Sequence, residues 1–169
     1  MSIDFMPGRT TADAPEGTVV FLIGIRVNRP LKPQKWFPVF RQMPRMLKEL
    51  GDRPELGLLT ATTYLSGRTA LVVQYWASAE LLNAYATARD HAHLPAWREF
   101  NRRIKDTGDV GVFHETYVLG GSHETIYVNM PASFGLAGAT TMQPITSKGN
   151  RALHRLDATV PDTPAVEPY

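Results

Sequence analysis

Histidine is the side chain best suited to proton transfer near neutral pH, and four of the chain's five histidines fall between His91 and Pro131. Two of them, His93 and His114, stand in segments rich in apolar residues, where an imidazole is unfavourable unless it is bonded or used. A neutral imidazole in such a place can act as a general base or ligate haem iron. Both are candidate catalytic or ligand residues, with a hydrogen-bonded structural role as the alternative.

The surroundings of His93 have a helical spacing. His93, Trp97, Phe100 and Ile104 would form one stripe on an unbroken helix. Pro95 favours a helix start, which places His93 at or just before the beginning of that helix. Trp97 is a candidate to line a substrate pocket, and Arg98 is a candidate polar contact to the substrate.

His114 and Glu115 are adjacent in a segment typical of a strand. Their side chains are therefore expected on opposite faces unless a bulge intervenes. Glu115 is a candidate acid–base residue, and its alternative role is a structural partner for an arginine such as Arg98 or Arg102.

Aromatic and amide side chains complete the candidate site. Tyr75 and Tyr117 can line an aromatic cavity, although aromatic residues in strands are more often part of a core or an interface. Asn129, in the segment YVNMP, can close a pocket or pair with the edge of a neighbouring subunit.

The elements that must position these residues follow the order β-α-β-β-α-β, which predicts a ferredoxin-like α+β fold. Strand patterns occupy residues 18–27, 56–65, 69–76 and 110–119, and helical patterns occupy 34–50, 79–89 and 95–104. A short fifth strand is predicted at 124–130. The predicted organisation is an N-terminal arm (1–17), a ferredoxin-like domain (18–131) and a loosely packed C-terminal extension (132–169).

The first predicted strand indicates a homodimer. Residues 18–27 are apolar on both faces, whereas helices cover only one face of such a sheet. We therefore expect the uncovered face to meet the sheet of a second subunit.

Composition excludes several classes of function. The 169 residues carry a net charge of +2 with scattered Lys and Arg, so no nucleic-acid partner is expected. Without cysteine there are no disulfides, thiolate metal sites or cysteine nucleophiles. Glycine-rich nucleotide-binding motifs and the GxSxG hydrolase motif are absent. Neither a signal peptide nor an apolar run of about 20 residues is present, so we expect a cytoplasmic protein without a membrane partner.

A likeness to a known family is carried by four segments: AELLNAYA, HLPAWREFNRR, VGVFHETYV and ETIYVNMP. Together they resemble the dimeric α/β-barrel superfamily of antibiotic-biosynthesis monooxygenases, in the branch similar to the monooxygenase of the fungal fumagillin pathway. The likeness covers roughly residues 5–136 and includes FGL at 134–136. It departs at Ala132-Ser133, where a second proline is expected.

The resemblance implies a homodimer with a substrate cavity between each sheet and its helices. It implies a monooxygenase that oxidises a small hydrophobic or aromatic natural-product-type substrate with no cofactor. In this hypothesis His93 or His114 removes a proton, the resulting carbanion reduces O2, and Trp97, Tyr75 and Tyr117 shape the pocket.

Other branches of the superfold bind haem through a histidine, which leaves two alternatives open. In the first, haem b is ligated by His93 or His114, in an aldoxime-dehydratase-like lyase or in haem-dependent oxygen or nitrogen chemistry. The opposite histidine or Arg98 would then polarise the distal ligand. In the second, the protein is a small-molecule carrier without turnover.

Overall fold

A computed structural model describes residues 6–88 and 107–163 of the chain, which divides into two compact units. The central unit comprises residues 19–118, and the terminal unit comprises residues 1–18 together with 119–169. In chain order the elements are β1 (Met6–Asp13), β2 (Val19–Val27), α1 (Pro33–Phe40), α2 (Gln42–Asp52), β3 (Leu58–Ser66), β4 (Thr69–Trp76), α3 (Ala79–Thr87), β5 (Val110–Val118), β6 (Tyr127–Met130), α4 (Gly135–Ala139), β7 (Thr141–Pro144) and α5 (Ala152–Leu156). Single 3₁₀ turns occupy Pro54–Leu56 and Ile145–Ser147.

The central unit is a four-stranded antiparallel sheet in the order β3-β4-β2-β5. The apolar first strand of the unit, β2, is internal, as expected for a strand buried on both faces. Taken with its helices, this is the ferredoxin-like β-α-β-β-α-β arrangement, so the predicted α+β fold class is confirmed. The helix predicted at 95–104 lies outside the described residues.

Prolines shape the helical stretch that follows β2. The predicted helix at 34–50 is split into α1 and α2 at Arg41, three residues before Pro44. Pro44 lies in the first turn of α2, where its missing N–H removes no helical hydrogen bond. The predicted helix at 79–89 corresponds to α3, whose N-terminus is capped by Ser78, since Ser78 Oγ accepts a hydrogen bond from the Leu81 backbone N–H at 3.3 Å.

The core of the central unit lies at one end of the sheet, beneath α2 and α3. It contains Val19, Leu50, Trp76 and Tyr85, all buried. Both polar atoms of the aromatic pair are satisfied, because the Trp76 indole N–H donates to Gln74 at 2.9 Å and the Tyr85 hydroxyl donates to Glu49 at 3.0 Å. Burial, followed by the hydrogen bond to Glu49, raises the pKa of Tyr85.

The terminal unit brings together segments from both ends of the chain. Residues 6–13, in the segment predicted as an N-terminal arm, form strand β1, which is the middle strand of a three-stranded sheet in the order β6-β1-β7. Its partners are distant in sequence, with Arg9 opposite Val128 and Thr11 opposite Gln143. The predicted extension at 132–169 contributes β7, α4 and α5. Strands β1 and β7 were not predicted, because their segments are polar and have no alternating pattern. Such segments become extended only by pairing with strands distant in the chain.

Within the described ranges, no helix combines the length and the apolar character needed to cross a membrane.

Candidate functional site

The register of β5 decides which of its polar side chains faces the helices. His114 lies opposite Ile23 of β2 in the pairing of the two strands. Ile23 shares a face of β2 with Val19 and Phe21, which belong to the core beneath the helices. His114 therefore lies on the face of the sheet that α2 and α3 cover, the helix side. Its neighbour Glu115 lies on the opposite face, which we call the helix-free side because neither α2 nor α3 packs there. The pairing of β5 contains no bulge, so the two side chains do not share a pocket.

The imidazole of His114 lies beside an aromatic ring in an apolar setting. The ring centroids of His114 and Phe21 are 5.7 Å apart and tilted by 39°. Along the same face of β5 its neighbours are Val112 and Thr116. The imidazole is exposed, and in the described part of the chain no hydrogen bond or ion pair engages it. Within residues 6–88 and 107–163, neither ring nitrogen of His114 has a hydrogen-bond partner.

The packing of the helix side changes along the sheet. It is closed at the Val19–Trp76 end by the buried core. His114 lies four residues from the Val118 end of β5, a separation of about 13 Å along the strand. In the same row β4 contributes Val72, which is buried, and β3 contributes Thr63, which is exposed. The candidate site is therefore at the β5 edge of the helix-covered face, away from the core beneath α2 and α3.

The helix-free face gathers the two tyrosines that the sequence associated with His114. Tyr75 and Tyr117 both lie opposite Val20, one on each side of β2. The Tyr117 hydroxyl donates a 2.5 Å hydrogen bond to the Glu115 carboxylate, which raises the pKa of Tyr117. Glu115 is thus engaged by a tyrosine in the same strand. The structure places these three side chains together, on the face opposite His114.

Asn129 belongs to the terminal unit, where it has a backbone role. Its side-chain oxygen accepts a hydrogen bond from the Gly8 backbone N–H at 3.1 Å, linking β6 to β1. Its φ of 53° is left-handed, a conformation that asparagine tolerates better than most residues. Three other candidates, His93, Trp97 and Arg98, lie outside the described residues.

Sequence reasoning missed Phe21 as a neighbour of the site. Phe21 lies directly opposite Thr116, which shares a face of β5 with His114 as their two-residue spacing predicts. Phe21 could not be found in this way, because β2 is apolar on both faces and its pattern does not say which face meets the helices.

In residues 6–88 and 107–163 no group of three or more His, Asp or Glu side chains is arranged to hold a metal ion. A single imidazole such as that of His114 is nevertheless a chemically suitable axial donor to haem iron.

A separate cleft of about 380 Å³ lies in the terminal unit, lined by Asp13, Ala14, Pro15, Thr140 and Thr141. The Asp13 carboxylate is paired with Lys148 at 2.6 Å, and this hydrogen-bonded ammonium lowers the pKa of Asp13. The cleft contains none of the candidate residues of the central unit.

Comparison with known sequences identifies one family. The family model described as "Monooxygenase af470-like" matches residues 18–136. The curated protein Monooxygenase af470 of Aspergillus fumigatus is 32% identical over 149 residues, which cover 75% of this chain and 52% of that protein. The chain therefore spans about half the length of the curated relative it matches.

Solved structures with a similar fold include two aldoxime dehydratases. One, in complex with butyraldoxime, aligns with a TM-score of 0.65 and 14% identity, covering 78% of this chain and 40% of that one. Another aligns with a TM-score of 0.60 and 14% identity, covering 82% and 46% of the two chains. At this level of identity the likeness concerns the fold alone.

Proposed function

The chain belongs to the af470-like monooxygenase family, as the resemblance predicted, and on this basis we propose that it is a cofactor-independent monooxygenase for a small hydrophobic or aromatic natural-product-type substrate. The observation that supports the proposal is the exposed imidazole of His114. It lies on the helix side of the sheet beside the Phe21 ring, and no described residue forms a hydrogen bond or ion pair with it. The substrate would lie between the sheet and the helices of the central unit.

The proposed chemistry needs only the substrate, O2 and a base. His114 accepts a proton from an acidic C–H of the substrate, and the electron pair left on carbon reduces O2 to a carbon-bound peroxide. The imidazolium returns its proton to the peroxide, giving a hydroperoxide. Loss of the second C–H proton and cleavage of the O–O bond then release water and leave a carbonyl. The balance is CH2 + O2 → C=O + H2O, with all four electrons that reduce O2 supplied by the substrate.

The surroundings of His114 suit a hydrophobic substrate. Phe21, Ile23 and Val112 present apolar surface on the same side of the sheet. Apolar walls with one convergent polar group are the usual composition of a small-molecule site. In this arrangement the aromatic ring of Phe21 would stack on the substrate while the imidazole reaches its acidic carbon.

The helix-free face supports the homodimer that we include in the proposal. Its exposed aromatic side chains are Tyr64, Phe113 and Tyr117, and the two central strands present apolar side chains there, with Leu22 of β2 opposite Val73 of β4. An exposed apolar face of this kind marks an interaction surface. A second copy of the same sheet would cover it, with Tyr117 and Glu115 at the interface rather than in the substrate pocket.

The test is O2 consumption with anthrone, an aromatic ketone whose ring CH2 is acidic and whose oxidation to anthraquinone follows the same balance. We expect the purified protein to accelerate this reaction without added metal or cofactor, and His114→Ala to lower the rate about 10²-fold or more. The matched control is His154→Ala, whose ring Nδ1 is bonded to the Val160 carbonyl in the terminal unit. An unchanged rate in His114→Ala would exclude His114 as the base.

Haem ligation by the same imidazole is the alternative function. The absorption spectrum of the protein with one equivalent of hemin separates the two. A saturable, sharpened Soret band that disappears in His114→Ala would replace the cofactor-independent reaction with haem chemistry. Tight substrate binding without product would instead make the protein a carrier.

A further inference from the structure

We propose that the loop between β2 and α1, together with α1 and the first turn of α2, forms a docking segment (residues 28–45) that binds anionic membrane surfaces. The inference is independent of the monooxygenase reaction. It rests on charge, on exposed apolar side chains and on the way the loop is fixed.

The charge around the docking segment is strongly one-sided. Residues 17–48 contain no Asp or Glu. They contain seven cations: Arg26, Arg29, Lys32, Lys35, Arg41, Arg45 and Lys48. Of these, no carboxylate of the described residues pairs with Lys35, Arg41 or Arg45. Because no described carboxylate neutralises these three cations, they give this surface a positive potential.

Large apolar side chains on the same segment are left in solvent. Leu31 is 94% exposed, Phe37 is 49% exposed and Phe40 is 37% exposed. No residue of α1 is fully buried. An isolated exposed leucine is ordinary, but a leucine and two phenylalanines exposed within ten residues of one basic segment are a concentration of apolar surface that marks an interaction site.

The loop that carries Leu31 is held in place rather than loose. The Asp109 carboxylate, almost fully buried, binds the Arg29 guanidinium and the Lys32 ammonium, both at 3.1 Å. The Trp36 indole N–H donates to the Pro30 carbonyl at 3.1 Å, closing the loop onto α1. Leu31 is therefore presented by a preformed loop, which reduces the ordering entropy lost on binding.

Exposed apolar side chains flanked by cations are typical of a segment that lies in a membrane interface. The apolar side chains enter the head-group boundary while Lys and Arg contact anionic head groups. A second copy of this chain does not fit the surface, because the cations that no described carboxylate neutralises, Lys35, Arg41 and Arg45, would face one another. The expectation of no membrane partner concerned a spanning segment, whereas this surface would lie on the membrane.

The test is co-sedimentation of the full chain with phosphatidylcholine vesicles, with and without phosphatidylserine. We expect binding only to the vesicles that contain phosphatidylserine, and loss of that binding at high salt, because salt screens the attraction. Leu31→Ser should weaken binding about tenfold through lost apolar burial. The double variant Lys35→Gln/Arg45→Gln should weaken it about 25-fold, since each cation near the surface is worth about fivefold.

The matched control is Leu153→Ser, another exposed leucine (56%), which lies on α5 of the terminal unit and should bind as the unaltered chain does. Circular dichroism confirms that each variant is folded. Absence of binding to phosphatidylserine vesicles at low salt, or equal binding by all variants, would overturn the proposal. Binding to polyglutamate but not to vesicles would also overturn it and assign the segment to an acidic protein partner.

Discussion

The hydroxyl of Tyr117 donates a hydrogen bond to the carboxylate of Glu115, two residues earlier in the same strand, at 2.5 Å. The contact is possible because residues i and i+2 of a strand share a face. His114, adjacent to Glu115 in sequence, lies on the other face beside Phe21. One strand thus presents an imidazole with no hydrogen-bond partner among the described residues to the helix side, and a hydrogen-bonded phenol–carboxylate pair to the helix-free side.

The Tyr117–Glu115 pair should be visible in a tyrosine titration. The hydrogen bond to the carboxylate and its negative charge both favour the neutral phenol, which raises the pKa of Tyr117. Glu115→Gln removes the charge and should shift the ionisation of one tyrosine to lower pH, measured by the ultraviolet absorbance of phenolate. In a Tyr117→Phe background the same substitution should change nothing. A shift that persists there would assign the effect to another tyrosine.

Asp109 should make the central unit less stable in acid. The hydrogen bond from Lys32, helped by the charge of Arg29, holds the pKa of Asp109 below its ordinary value of 3.8. A carboxyl group whose pKa is lower in the folded state contributes its full stabilisation of the fold at pH values above its pKa in the unfolded state. That contribution is lost as the pH falls through the folded pKa. The difference in unfolding free energy between the unaltered chain and Asp109→Asn should be largest near neutrality and shrink below about pH 4.

Urea unfolding followed by tryptophan fluorescence measures this difference, since Trp36 and Trp76 belong to the central unit. Asp52→Asn is the control, because Asp52 pairs with Lys48 on the solvent-exposed surface of α2. Its substitution should change stability by about 0.5 kcal/mol or less. A pH-independent difference for Asp109→Asn would contradict the linkage.

The core at the Trp76 end should dominate the stability of the central unit. Leu50 is 2% exposed and packs with Val19, Trp76 and Tyr85. Leu50→Ala should lower the unfolding free energy by about 3 kcal/mol, through lost burial and the cavity left behind. Leu65→Ala, at an exposed position of the same sheet, should change it by about 0.5 kcal/mol or less. Equal effects would mean that the core lies elsewhere.

The proposed homodimer makes a prediction for the helix-free face. Leu22→Glu places a charge in the apolar row opposite Val73 and Glu115, and it should convert the dimer to a monomer. Sedimentation velocity measures the outcome. Leu65→Glu, on the helix side, should leave the dimer intact. A monomeric unaltered protein, or a Leu22→Glu variant that remains dimeric, would contradict the proposed interface.

Local sequence patterns were sufficient for most of the central unit. The apolar run at 18–27 corresponds to β2, the segment 69–76 to β4, and Ser78 caps the helix where predicted. These features depend on neighbouring residues, through β-branched runs, short turns and capping hydroxyls. Local sequence patterns predicted only part of the candidate site, and the roles of His93, Trp97 and Arg98 stay predictions.

The sequence by itself determined that His114 and Glu115 occupy opposite faces, because side chains alternate along any regular strand. Only the tertiary structure decided which of them faces the helices, through the pairing of β5 with β2. The same holds for β1, whose polar residues become a central strand only when β6 and β7 pair with them. The preference of a segment for helix, strand or turn depends on neighbouring residues, whereas strand pairing depends on hydrogen bonds between segments far apart in the chain.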